Sequence, residues 1–162
     1  MLQKSYARLP ARTVRSPGFC RLSFIVRLAD EILFFFWLGC IVLLSGPTDY
    51  LSDGSTVIRL SNGHELLGQI TGAGCVLGTT IAAFCGAASM AASGTRGGSL
   101  VDGDMLLATA GATLTLTIAA QQAAGREDIR GPGTFLPALI DELAMLTPEI
   151  VLRMATIEVE TG

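Results

Sequence analysis

The chain changes its pattern of apolar and polar positions several times after residue 40. "CIVLL", Cys40 to Leu44, is an unbroken apolar run closed by Ser45, Gly46 and Pro47. Such a run reads as a central parallel strand, apolar on both faces. Two short β segments follow, Tyr50 to Ser52 and Thr56 to Leu60, with the tight-turn pair Asp53-Gly54 between them and Asn62-Gly63 after the second. "GQITGAGC" then leads into a helix expected to start near Cys75. That helix, "CVLGTTIAAFCGAASMAA", is apolar or small nearly all round, which predicts that it is largely buried. Gly86 weakens it and Ser93-Gly94 ends it. "SGTRGGSLVDGD" is a loop, and Asp102 or Asp104 offers a cap for the next small-residue helix, "DMLLATAGATLTLTIAAQQAA". "GREDIRGPGTF" forms a second loop. Thr134 is expected to cap a helix through Leu146, with Pro137 in its first turn. Thr147-Pro148 restarts a short helix, and "TIEVE" closes the chain. Only one run looks like a core strand, and a stable sheet needs more. The pattern therefore predicts an α/β class chain, the helix-rich end of a larger layered domain.

The first 38 residues follow no such pattern. Before Asp30 there are six basic residues and no acid, in a stretch that also contains serines. That is the composition of a mitochondrial presequence, although an arbitrary tail has it too. Its many like charges predict a mobile segment. Next comes "ILFFFWLGCIVLL", Ile32 to Leu44. Thirteen uncharged residues fall short of the roughly 18 to 20 that span a bilayer. A membrane role is not favoured.

Composition narrows the classes. Half of the 162 residues are apolar and 15% are charged, too hydrophobic for a disordered chain. The net charge of −3 conceals an asymmetry: from Asp30 onward five arginines face fourteen acids. A body so acidic is a poor match for nucleic acid. The four cysteines make no CxxC pair, and His64 is the only histidine, so no metal-ligand spacing is present. A reduced, cytoplasmic setting fits best.

The candidate chemistry lies in "TGAGC". A glycine-rich turn entering a helix suits an anion: the first N–H groups have no helical partners, and the dipole adds positive potential. Gly72 and Gly74 allow close approach of a ligand to the backbone, and a thiolate at Cys75 would feel the same field. Equally, the segment is readable as a glycine-rich turn with a small buried cysteine.

The wider set of motifs, "CIVLLSGPTDYLSDG", "SNGHELLGQITGAGCVLGTTIAAF" and "GPGTFLPALIDEL", resembles hydroxyethylthiazole kinase, a ribokinase-like family, and is most similar to the kinase part of the fungal form fused to thiamine-phosphate synthase. The resemblance covers residues 39–162 and leaves 1–38 unmatched. It implies the helix-rich C-terminal part of a three-layer αβα fold with an incomplete sheet. The implied activity is ATP- and Mg2+-dependent phosphorylation of the primary alcohol of 4-methyl-5-(2-hydroxyethyl)thiazole, in a homotrimer with active sites between subunits. Carried onto this chain, Gly72, Ala73 and Gly74 form the substrate-side anion hole. Cys75 takes the place of the catalytic base, and Ser45 contacts ATP. For His64 the plain reading is a hydrogen-bonded turn residue. The family's first half, with its magnesium carboxylates, has no counterpart before Gly39, so a truncated form with little turnover is expected. Two alternatives stay open: a non-catalytic fragment that associates with full-length kinase subunits, and a small membrane-associated protein.

Overall fold

The computed structural model describes residues 40–92 and 103–161. The leader, the domain boundary at 38/39, most of Ile32–Leu44 and the loop at 93–102 lie outside those residues. Four strands form one antiparallel sheet in the order β1 (Val42–Leu44), β2 (Asp49–Ser52), β3 (Thr56–Leu60) and β4 (Ile157–Thr161). The helices are α1 (Ala73–Ala92), α2 (Met105–Ala124), α3 (Pro132–Met145) and α4 (Pro148–Met154), with a 3-10 turn at Glu65–Gln69.

The two β segments fold where the turn chemistry puts them. One oxygen of Asp53 accepts the N–H groups of Ser55 and Thr56 at 2.9 and 2.8 Å. Those bonds hold its carboxyl below the usual carboxylate range, and Gly54 takes the positive φ of 96° that the turn requires. Beside this hairpin, the apolar run behaves differently from its pattern. Only Val42 to Leu44 pair, and they pair antiparallel with β2, Leu43 opposite Leu51. Four residues separate β1 from β2. A parallel partner needs a crossover of about a dozen or more, so the short link allows only a hairpin. Among the described residues β1 is an edge strand, and Leu44 is exposed. The C-terminal "TIEVE" supplies an edge strand as well, Ile58 of β3 pairing with Val159.

One face of the sheet carries Leu51, Ile58 and Leu60, which pack with Ala110, Leu114 and Ile118 of α2. The other face carries Tyr50, Arg59, Glu158 and Glu160. Arg59 lies 5.7 Å from the Tyr50 ring centroid and pairs with both glutamates at 3.6 and 3.2 Å.

The second helix is the centre of the molecule. Asp104 caps it by accepting the Leu107 N–H at 2.8 Å. Its buried threonines are satisfied locally: Thr113 and Thr117 donate to the carbonyls of Thr109 and Thr113 at 2.9 Å. A hydroxyl so bonded is tolerated in a core. Away from the sheet, Leu116, Ala119, Ala120 and Ala123 meet Phe135, Ala138 and Leu139 of α3. This third helix begins earlier than expected. Pro132 occupies the first turn after Gly131, and Thr134 is inside the helix. The Thr134 hydroxyl accepts the Arg130 N–H at 2.7 Å and donates to the Gly131 carbonyl, so it stabilises the entry turn without capping the helix. Pro137 consequently sits beyond the first turn, inside the helix.

The first helix departs from expectation most clearly. Predicted to be buried, it has a single buried residue, Ser89. Its close contact is with α2, where Gly111 leaves room for the Phe84 ring: a Cβ there would come within 3.3 Å of it. By length and composition α1 is apolar enough to cross a membrane. The uniform pattern was correct, but the described residues cover only one side of the helix.

Candidate functional site

A cleft of about 590 Å3 opens where β1, β2 and the start of α1 come together. Ser45, Gly46 and Pro47 form one wall, with Asp49 at the base of β2. Asn62 to Glu65 form a second wall, Ala73, Gly74 and Leu77 of α1 a third, and Leu116 and Thr117 of α2 the floor. Each wall has a local cause. Gly63 adopts a φ of 132° and sits over Thr117, whose Cβ lies 3.7 Å from where a side chain would begin. His64 caps the 3-10 turn, its Nδ1 accepting the Leu66 N–H at 3.3 Å, and its ring lies 6.4 Å from that of Phe135. That is the bonding of a turn residue, in a residue that also lines the cleft.

At the helix start, Gly72 has a φ of 91° and its carbonyl accepts the Val76 N–H at 2.9 Å. The next three N–H groups, on Ala73, Gly74 and Cys75, therefore precede any helical acceptor. A side chain at Gly72 would meet nothing within 4 Å, yet the positive φ would strain it. The cleft thus brings together Ser45, Ala73 and Gly74. Gly72 stands just outside its lining, and Cys75 is exposed beyond it. Cys40, Cys75 and Cys85 are free thiols.

Two residues of the cleft were not anticipated. Asp49 is buried, and its Oδ1 accepts the Gly46 N–H at 2.9 Å. Burial pushes its carboxyl above the usual range, and the Gly46 bond opposes that. Asn62 joins three parts of the fold: its amide donates to Gln121 Oε1 at 2.8 Å and to the Met154 carbonyl at 2.9 Å, and its Oδ1 accepts the Thr156 N–H at 2.7 Å. The signal for Asp49 was present as an acid three residues after a turn glycine. For Asn62 there was none, because its partners lie 59 to 94 residues away.

A glycine-started helix whose free N–H groups open on a cleft at a sheet edge is a phosphate-binding layout, and the fold is a partial ribokinase-like one. Hydroxyethylthiazole kinase from Pyrococcus horikoshii OT3 matches it with a TM-score of 0.62 and 26% identity, over 88% of this chain and 53% of that structure. The chain belongs to the hydroxyethylthiazole kinase family, whose model matches residues 23–149. Hydroxyethylthiazole kinase of Thermoanaerobacter pseudethanolicus is 34% identical over 120 residues, which is 74% of this chain and 40% of that protein. The Cutibacterium acnes kinase is 38% identical over 70% of this chain and 35% of that protein. A probable thiamine biosynthetic bifunctional enzyme of Schizosaccharomyces pombe is 35% identical over 81% of this chain and 23% of its own length. The chain therefore spans less than half the length of the curated relatives it matches.

Proposed function

We propose that this chain serves thiamine biosynthesis as the phosphoryl-binding part of a hydroxyethylthiazole kinase. The reaction transfers the γ-phosphoryl group of ATP to the primary alcohol of 4-methyl-5-(2-hydroxyethyl)thiazole. The observation that carries the reading is the start of α1: Ala73 and Gly74 line the same cleft as Ser45, in a chain of this family. Phosphoryl transfer chiefly needs positioning and charge stabilisation, and backbone N–H groups at a helix start provide both without reorganising. The alcohol oxygen attacks the γ-phosphorus, the bond to the leaving ADP oxygen breaks, and the alcohol proton passes to Cys75. Ser45 contacts the nucleotide from the opposite wall. The setting is cytoplasmic, in keeping with the free thiols, and assembly is as a homotrimer, as the family resemblance implies.

Magnesium is the usual companion of such phosphates, where it neutralises developing charge. Among the described residues no group of three or more His, Cys, Asp or Glu side chains is placed to hold a metal ion. The chain spans less than half the length of the relatives it matches, and by itself it is expected to show little or no turnover with ATP, magnesium and the thiazole alcohol; robust phosphorylation would contradict this. The site itself is tested by titrating the isotope-labelled chain with ATP. Amide shifts should concentrate at Ser45–Gly46 and Ala73–Cys75, and their absence would remove the nucleotide from the reading.

A further inference from the structure

We propose that Asp49 is a positioning residue, whose carboxylate fixes the Ser45–Pro47 turn and thereby presents Ser45 to the nucleotide. The inference rests on the nucleotide reading of the cleft. Asp49 is the first residue of β2, it is only 5% exposed, and it lies opposite the apolar Leu60 in the sheet. A carboxylate at such a place is costly unless its bonds compensate. Its one described bond goes to the Gly46 N–H, three residues back, and its other oxygen has no partner among the described residues. The bond closes the turn between β1 and β2, and both its ends line the cleft alongside Ser45. Pro47 has no N–H to offer, and the backbone donor in that turn that meets Asp49 is Gly46. Contact between this carboxylate and a phosphate would be repulsive, so the role of Asp49 lies in holding the wall and not in touching the phosphates.

The test compares Asp49→Ala and Asp49→Asn in the full chain, reading both amide exchange at Gly46 and the dissociation constant for ATP. Asparagine still offers an oxygen to the Gly46 N–H, whereas alanine does not. The expected result is that alanine speeds Gly46 exchange and weakens ATP binding, each by about tenfold, the scale of one charge-assisted bond. Asparagine should restore both to within about threefold of the parent chain. If alanine does not fold, Asp49→Val fills the buried site without an acceptor and is expected to behave as alanine would. Unchanged Gly46 exchange in the alanine or valine variant overturns the proposal, as does unchanged ATP affinity. If the parent chain binds no ATP, the nucleotide reading falls. In that case Gly46 exchange still decides: faster exchange in alanine, rescued by asparagine, upholds Asp49 as the anchor of the turn, and equal exchange in all three overturns it.

Discussion

The first and second helices have the same length, 20 residues, carry seven alanines each and contain no charged residue. Their surroundings are opposite. α2 buries twelve residues, Ile118 and Ala119 completely, while α1 buries Ser89 and no other. α2 lies between the sheet on one side and α3 on the other, with α4 packed against the core that α2 forms with the sheet. α1 meets α2 along one side, and Val76, Phe84 and Met90 remain exposed. Hydrophobicity all round a helix states what the helix would accept as neighbours. It does not state which neighbours exist. The difference also separates two roles. α2 holds the fold together, and α1 matters for its first turn, where Gly72 sets free N–H groups at the edge of the cleft.

The largest expected effect lies in that first turn. In a chimera where this segment completes a family kinase, Cys75→Ala should lower turnover at saturating ATP by about 10² to 10⁴, the usual scale for losing an acid-base group. Cys75→Asp should retain activity, since a carboxylate at a helix start is favoured by the dipole and accepts the proton. Cys75→Ser should resemble alanine. An active alanine variant beside an inactive aspartate variant would make the thiol a space-filler and leave the chemistry to the backbone.

The packing half of the contrast is tested next. Phe135 is wholly buried against α2, so Phe135→Ala should cost about 3 to 5 kcal/mol in urea unfolding. Met90 on α1 is 79% exposed, and Met90→Ala should stay within about 0.5 kcal/mol. A large loss at Met90 would mean that α1 is covered in solution, and the contrast between the helices would disappear.

A smaller loss is expected at Asn62, whose three bonds join the strand end to α2 and to the residues before β4. Asn62→Ala leaves the Thr156 N–H and the Met154 carbonyl without that partner and should cost about 2 kcal/mol. Loss of β4 pairing, followed through amide exchange at Val159, would accompany it; unaltered exchange there would show that β4 is held by its sheet bonds without the asparagine. The smallest effect belongs to the cap of the buried helix. Asp104→Ala removes the acceptor of the Leu107 N–H and should cost about 1 kcal/mol, again by urea unfolding.

Local chemistry was readable directly. The Asp53-Gly54 turn, the hairpin it closes, the cap at Asp104 and the helix restarting at Pro148 each depend on bonds among residues a few positions apart. The order of the motifs was enough to indicate the family. The sequence also marked the glycine-rich helix start, because positive φ and free N–H groups are properties of the segment itself. Other features were decided only when distant segments met. The apolar run at Cys40–Leu44 looked central and parallel, yet the four-residue link to β2 turned it into an antiparallel edge. The closing "TIEVE" gained strand character from β3, about a hundred residues earlier. Thr134 looked like a cap until Pro132 took the first helical position. The cleft itself joins Ser45, Asp49, Asn62, His64 and Gly74, which no local pattern relates. The sequence by itself determined which residues turn, cap and coil, because those energies act over a single turn of chain. The tertiary structure decided which apolar helix is buried and which carboxylate is anchored, because burial is shared between elements and neither partner carries it alone.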